Sequence, residues 1–212
     1  MNSLDLPIVE SAALTLQPGI TLLRGFANTR ELMSLIEAVA RRAPFRHLVT
    51  PGGQTMSVAM TNCGPVGWVS DRSGYRYSSR DPLSDADWPA LPAAFERVAL
   101  AAATAGGFPQ FVPDACLINR YAVGARLTAH RDADEQNFAQ PIVSVSLGLP
   151  ATFAFYGLAR GGKGTSLALV DGDVLVWGGP ARLVYHAVRP LKAGVHPLTG
   201  EFRYNLTFRH AR

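Results

Sequence analysis

From residue 111 onward the chain breaks into short runs rich in β-branched and aromatic residues, at 115–121, 142–149, 152–156, 165–170, 174–177, 183–188 and 202–209. Their regular recurrence between turn-forming residues predicts a β-sandwich or barrel. Upstream the periodicity changes. At 28–43 the apolar residues Leu32, Leu35, Ile36 and Val39 recur at helical spacing, behind Asn28 as cap and Glu31 three residues on. A second helix is predicted with Pro92 in its first turn, running through Phe95 and Val98 and stopping at Gly106-Gly107. Between the two helices, residues 46–61 read as a hairpin turning at Pro51-Gly52-Gly53, followed by a glycine- and aromatic-containing loop to Asp87 placed to cover a pocket. Both helices should pack against a sheet, which makes the chain α+β and mainly β.

A length of 212 residues suits one domain, here 1–212, and therefore one site. Hydrophobic residues make up 48% and charged residues 17%, a globular balance that excludes a disordered chain. No apolar run approaches the roughly 20 residues that cross a bilayer, and residues 1–7, with Asp5 among them, lack the basic start and apolar stretch of a secretion signal. A cytoplasmic monomer with no membrane partner is the expectation. Cys63 and Cys116 have no zinc-like spacing and read as buried, unreactive thiols in a reducing compartment. The net charge of +4, almost wholly from arginine, permits an anionic partner such as nucleic acid without identifying one.

The strongest chemical signal is His130-Arg131-Asp132, with His186 far downstream. Two histidines and one carboxylate can hold iron(II) on one octahedral face. In an extended segment His130 and Asp132 share a face while Arg131 points away, and His186 must arrive from another strand. Three protein ligands leave positions for a chelating cosubstrate and oxygen, whereas a structural zinc site would be closed by four ligands, usually including cysteine. Spacing alone leaves coincidence or surface hydrogen bonding open. His47, His196 and His210 show no such pairing and read as ordinary polar residues.

In the last β-prone run, Phe202, Tyr204, Leu206 and Phe208 alternate with Arg203, Asn205, Thr207 and Arg209. One face is core and the other polar. An inward face with two arginines needs anionic company, because unpaired buried charge is costly, and a dicarboxylate such as 2-oxoglutarate supplies it. Structural ion pairs for Arg203 and Arg209 fit the strand equally well. Asn119 and Tyr121, two apart on one strand, offer an amide and a phenol to the same ligand. Residues 157–163 begin like a phosphate-binding loop, but Gly164 stands where Ser or Thr is required and a β-prone run follows in place of a helix. Nucleoside triphosphate binding is therefore excluded.

Leu117-Ile118-Asn119-Arg120-Tyr121, His130-x-Asp132-x-Asp134-Glu135 and Pro141-Ile142-Val143-Ser144-Val145-Ser146-Leu147-Gly148 resemble the AlkB family of oxidative dealkylases. So do Gly172-Asp173-Val174, Trp177-Gly178-Gly179, Tyr185-His186, Leu191-Lys192-Ala193-Gly194 and the stretch from Arg203 through Arg209. Thr50-Pro51-Gly52-Gly53 and the run 55–64 are similar to the nucleotide-recognition lid of the bacterial DNA-repair members. The glycine-rich loop from Arg160 to Gly164 and the short tail after Arg209 depart from that pattern.

The resemblance implies a double-stranded β-helix (jelly-roll) core at 111–212, flanking N-terminal helices and a lid at 45–90. It implies iron bound by His130, Asp132 and His186, and 2-oxoglutarate held by Asn119, Tyr121, Arg203, Asn205 and Arg209, with O2 as the other cosubstrate. It further implies a flipped base near Trp68 and His130, Tyr75 on the nucleic-acid backbone, Asp134 near the polar edge of the base and Arg160 near the damaged nucleotide. Without it, Trp68 and Tyr75 read as core or loop-anchoring aromatics and Asp134 as a solvated loop acid. The implied reaction is oxidative demethylation of bases such as 1-methyladenine and 3-methylcytosine in single-stranded DNA, releasing formaldehyde, succinate and CO2. Alkylated RNA, including tRNA, is the alternative substrate, and a non-catalytic β-barrel binding module is the alternative class.

Overall fold

Alternation along the last strand, β14 (Arg203–Arg209), sets the layout, because both of its faces are buried and the two differ in chemistry. Tyr204, Leu206 and Phe208 enter a core shared with two helices, and Arg203, Asn205, Thr207 and Arg209 point the other way. The structure is a computed structural model that describes residues 13–212. The stretch read above for a secretion signal lies outside the described residues.

β14 sits inside an eight-stranded antiparallel sheet. The strand order is β1 (Ala13–Gln17), β2 (Ile20–Leu23), β12 (Val174–Trp177), β9 (Ile142–Gly148), β14, β7 (Ala115–Tyr121), β4 (Thr55–Cys63) and β3 (Arg46–Val49). A smaller four-stranded sheet runs β11 (Thr165–Leu169), β10 (Ala151–Gly157), β13 (Tyr185–Val188) and β8 (Leu127–His130). Phe153, Phe155, Val188 and Leu169 of the smaller sheet pack with Ile142, Leu175, Trp177 and Leu117 of the larger one. Two facing antiparallel sheets of this kind form a double-stranded β-helix, the jelly roll.

Helices α1 (Thr29–Arg42) and α2 (Ala93–Ala105) cover the other face of the larger sheet. α1 begins where the Asn28 side chain accepts the Glu31 N–H and ends with Arg41 and Arg42 at the negative end of its dipole. Leu32, Ile36 and Val39 form its buried stripe, and fully burying one such side chain contributes roughly 1.5–3 kcal/mol. Pro92 lies just before the first turn of α2 rather than within it. The helix stops at Gly106, where a Cβ would come within 2.7 Å of Val176.

Two further features differ from the sequence reading. The loop expected up to Asp87 contains a hairpin, β5 (Gly67–Asp71) and β6 (Gly74–Ser78). Asp71 closes its turn by accepting the Ser73 N–H, and Gly74 takes a φ of 132°. The larger sheet also draws β1 to β4 from upstream of residue 111, so the region 45–90 shares strands with the β core. Cys63 and Cys116 are cross-strand partners, both free and buried.

Candidate active site

The polar face of β14 lies in register with β7, so that Arg203 is opposite Tyr121 and Asn205 opposite Asn119. Asn205 donates from Nδ2 to Ser144 Oγ at 2.7 Å and to the Val145 carbonyl at 3.0 Å, while its Oδ1 accepts from Thr207 Oγ1 at 2.8 Å. Arg203 is 1% exposed, lies over the Tyr121 ring at 5.0 Å and donates from Nη2 to Ser146 Oγ at 3.1 Å. Among the described residues its Nε and Nη1 have no hydrogen-bond partner, and neither does Asn119 Oδ1. Native structures rarely leave a buried guanidinium half-satisfied, so these atoms mark where an anionic ligand belongs. The role of Ser144 and Ser146 went unread in the sequence, although their alternation in Val143-Ser144-Val145-Ser146 puts both hydroxyls on the polar face.

His130 closes β8 and His186 lies on β13, directly across the ladder. Asp132 follows on the loop. One ligand atom from each of the three lies within 4.8 Å of the others. Each imidazole donates Nδ1–H to a backbone carbonyl, Thr128 at 2.8 Å for His130 and Val184 at 3.0 Å for His186. That fixes the tautomer with the Nε2 lone pair toward Asp132, whose carboxylate oxygens lie 3.9 Å from both Nε2 atoms. Phe153 stacks on His186 at 5.4 Å and Trp177 meets it edge-on at 5.2 Å, holding the ring.

Arg209 does not reach toward solvent or stand free. Its Nη2 and Nε donate to Asp132 Oδ2 at 3.0 and 3.2 Å, and Nε lies 3.4 Å from Glu135 Oε1. The ion pair left open for both arginines is therefore made by Arg209, and among the described residues Arg203 has no carboxylate partner. Glu135, which the sequence reading gave no role, accepts from Tyr77 Oη at 2.7 Å and from Arg182 Nη2 at 3.0 Å. Arg182 also donates to the Asp132 carbonyl at 2.9 Å. Asp132, Glu135, Arg182 and Arg209 thus form a charge-balanced buried cluster that ties the β5–β6 hairpin to the loop carrying Asp132.

These side chains meet in one cavity of about 680 Å³, whose lining includes Asn119, Tyr121, His130, Asp132, Asp134, Arg160, His186, Arg203, Asn205 and Arg209, with Trp68 and Tyr75 from the hairpin. Trp68 and Tyr75 stack at 5.6 Å with 13° between planes, and Trp68 Nε1 donates to Asp134 Oδ2 at 2.8 Å. His47, His196 and His210 bond elsewhere.

A family model described as the 2OG-Fe(II) oxygenase superfamily matches residues 19–209. The alpha-ketoglutarate-dependent dioxygenase AlkB of Salmonella typhimurium is 58% identical over 92% of this chain and 92% of its own. That of Escherichia coli is 57% identical with the same coverage, 92% of each. The chain belongs to the AlkB family of dioxygenases. The solved structure of OsALKBH1 superposes with a TM-score of 0.82 at 27% identity, covering 94% of this chain and 100% of that one.

As an AlkB dioxygenase the protein uses iron(II), 2-oxoglutarate and O2. Its residues fit them. Two neutral imidazoles and a carboxylate are a donor set for iron(II), and the unpartnered N–H groups of Arg203 suit one end of a dicarboxylate. Burial alone would raise the Asp132 carboxyl, but Arg209, His186 and His130 outweigh it and hold it below the usual range. Burial, and then His130, lower the His186 imidazole from 6.5 to about 4. Both groups are therefore in the state that a metal requires at neutral pH.

Two predictions arise here. Between pH 6.5 and about 4 the unfolded chain protonates His186 and the folded chain does not. The metal-free protein should therefore lose stability as pH falls through that interval, by about 3 kcal/mol at its lower end. Urea unfolding of wild type against His186→Gln isolates this contribution; parallel pH profiles would refute it. Glu135→Ala strips Arg182 and Arg209 of a shared buried anion and should cost roughly 3–5 kcal/mol in the same assay. A loss within the range of an ordinary surface change would mean that the cluster is not what anchors the hairpin.

Proposed function

We propose that this AlkB-family enzyme removes alkyl groups from the ring nitrogens of bases such as 1-methyladenine and 3-methylcytosine in single-stranded DNA, and so repairs alkylation damage. The observation that carries the reading is the placement of the His130–Asp132–His186 group and the unpaired Arg203 in one cavity roofed by the stacked Trp68 and Tyr75. The name of one relative supports demethylation of DNA, though at an exocyclic nitrogen: a protein of Arabidopsis thaliana 29% identical over 92% of this chain is called a DNA N(6)-methyladenine demethylase.

In this reading His130, Asp132 and His186 hold the iron, and Asn119, Tyr121, Arg203, Asn205 and Arg209 hold 2-oxoglutarate. Arg209 lines the same pocket and clamps the Asp132 carboxylate. When bound, iron and its cosubstrates supply the oxidising power, with succinate, CO2 and formaldehyde as products. The rest is positioning. Trp68 offers a face on which an extruded base stacks opposite His130, and Asp134, already bonded to Trp68, presents an anion to a cationic methylated ring. Tyr75 at the rim meets the backbone of the strand, and Arg160 lies near the damaged nucleotide. Lesions on the pairing edge weaken the duplex, which lowers the cost of extrusion by a few kcal/mol and favours single strands.

Residues 45–90 act as the lid and 111–212 as the catalytic core of one domain. A cytoplasmic monomer fits this role and the two free thiols. Among the described residues no helix is long and apolar enough to cross a membrane.

The test is formaldehyde release from methylated single-stranded DNA with iron(II), ascorbate and 2-oxoglutarate, run beside matched alkylated RNA and peptide. Release that requires 2-oxoglutarate and is fastest on DNA is expected. Equal release without 2-oxoglutarate would refute the chemistry, and faster turnover of RNA or peptide would reassign the substrate.

A further inference from the structure

The smaller sheet has an outer face that the reaction leaves unused. Its inward residues, Phe153, Phe155, His186 and Val188, pack against the core or line the cavity, so Tyr156, Tyr185 and Arg189 fall on the opposite side. Two guanidinium groups lie over two phenol rings there: Arg131 over Tyr185 at 5.5 Å and Arg189 over Tyr156 at 6.0 Å. The two stacks are neighbours, because β10 and β13 pair with Gly157 opposite Tyr185 and Tyr156 at the bulge beside them.

Charge on this face is of one sign. None of β8, β10, β11 and β13, nor the loop 157–164, carries an Asp or Glu, whereas that loop brings Arg160 and Lys163. Among the described residues no ion pair engages Arg131, Arg160, Lys163 or Arg189. Covering the small buried residues Ala154 and Ala187 explains the two tyrosines. It does not explain two cations held over those rings on a sheet whose strands carry no anion.

We infer that this face is a track for the single-stranded segment that leaves the cavity beside the reacting nucleotide. The inference rests on the nucleic-acid reading of the cavity and extends it to flanking nucleotides. Continuity supports it: Arg131, Tyr185 and Arg160 line the cavity mouth, and Tyr156 and Arg189 continue from them across the sheet. An arginine held over a ring by cation–π attraction keeps N–H groups for phosphate, and aromatic faces accept bases without regard to sequence. The occupant is thus an anionic polymer with planar groups at its side, which is a single nucleic-acid strand.

The experiment uses protein loaded with manganese(II) and 2-oxoglutarate, and fluorescence anisotropy with two probes carrying a central 1-methyladenine. One is a trinucleotide and the other a single strand of roughly 12 nucleotides, within the span such platforms bind. The longer strand should bind more tightly to wild type. Tyr156→Ala and Arg189→Gln should each weaken it roughly tenfold, the worth of one stacked base or less, and Arg189→Gln should flatten its salt dependence by roughly 0.7 in log–log slope. Trinucleotide affinity, and turnover of the iron enzyme on it, should stay unchanged.

Wild-type affinity that does not depend on strand length, or variants that bind the longer strand as wild type does, would overturn the track. Should Tyr156→Ala unfold, Arg189→Gln alone decides. Failure of wild type to bind or turn over the trinucleotide would instead sink the reading of the cavity.

Discussion

Asp132→Ala is expected to abolish turnover while the protein remains folded. Among the described residues Asp132 is the one carboxylate within ion-pair distance of the two imidazoles, 3.9 Å from each Nε2. Without it the buried cluster holds Arg182 and Arg209 against Glu135, a positive balance that disfavours a divalent cation there as well as lacking a ligand for it. The fold persists because Arg209 keeps Glu135 within 3.4 Å. Loss of its charged hydrogen bonds to Asp132 costs roughly 1.5–3 kcal/mol, less than the stability of an ordinary domain. Formaldehyde release and urea unfolding check the two halves. Activity at the wild-type level would refute the ligand assignment, and an unfolded variant would make Asp132 chiefly an anchor for Arg209.

Arg203→Met should remove the response to 2-oxoglutarate and leave the ligand-free protein more stable than wild type. A guanidinium that is 1% exposed with two unpartnered nitrogen groups is held at a cost until an anion arrives. Methionine fills much of the same volume without that charge. Ligand at about 100 times its dissociation constant stabilises by about 2.7 kcal/mol, a rise of roughly 5–10 °C in melting temperature for a chain of this length. Thermal unfolding with manganese(II), with and without 2-oxoglutarate, should show that rise in wild type and none in the variant. An equal rise in both would assign the ligand to other residues.

The β core was legible because β9 and β14 alternate and β12 runs apolar without interruption, and α1 because Asn28 and Glu31 mark its start. Charge and spacing also brought forward the histidines, Asp132 and Arg203. The β5–β6 hairpin was hidden because five-residue strands containing Gly67, Gly74 and several serines have the composition of a loop. β1 and β2 join the larger sheet through β12, a pairing far apart in sequence that no local pattern announces. Glu135 was overlooked for a similar reason. Next to Asp134 it reads as a second loop acid, and only the arrival of Tyr77, Arg182 and Arg209 from three distant segments makes it a buried hub. The division of labour between the arginines likewise depends on which one Asp132 reaches.

The most direct measurement is an anaerobic titration of the metal-free protein with iron(II) at saturating 2-oxoglutarate, followed by visible absorbance. A metal-to-ligand charge-transfer band that saturates at one iron per chain, is absent from Asp132→Ala and needs far more 2-oxoglutarate in Arg203→Met is the expected result. No band in wild type, or the same band in Asp132→Ala, would contradict an iron centre held by His130, Asp132 and His186.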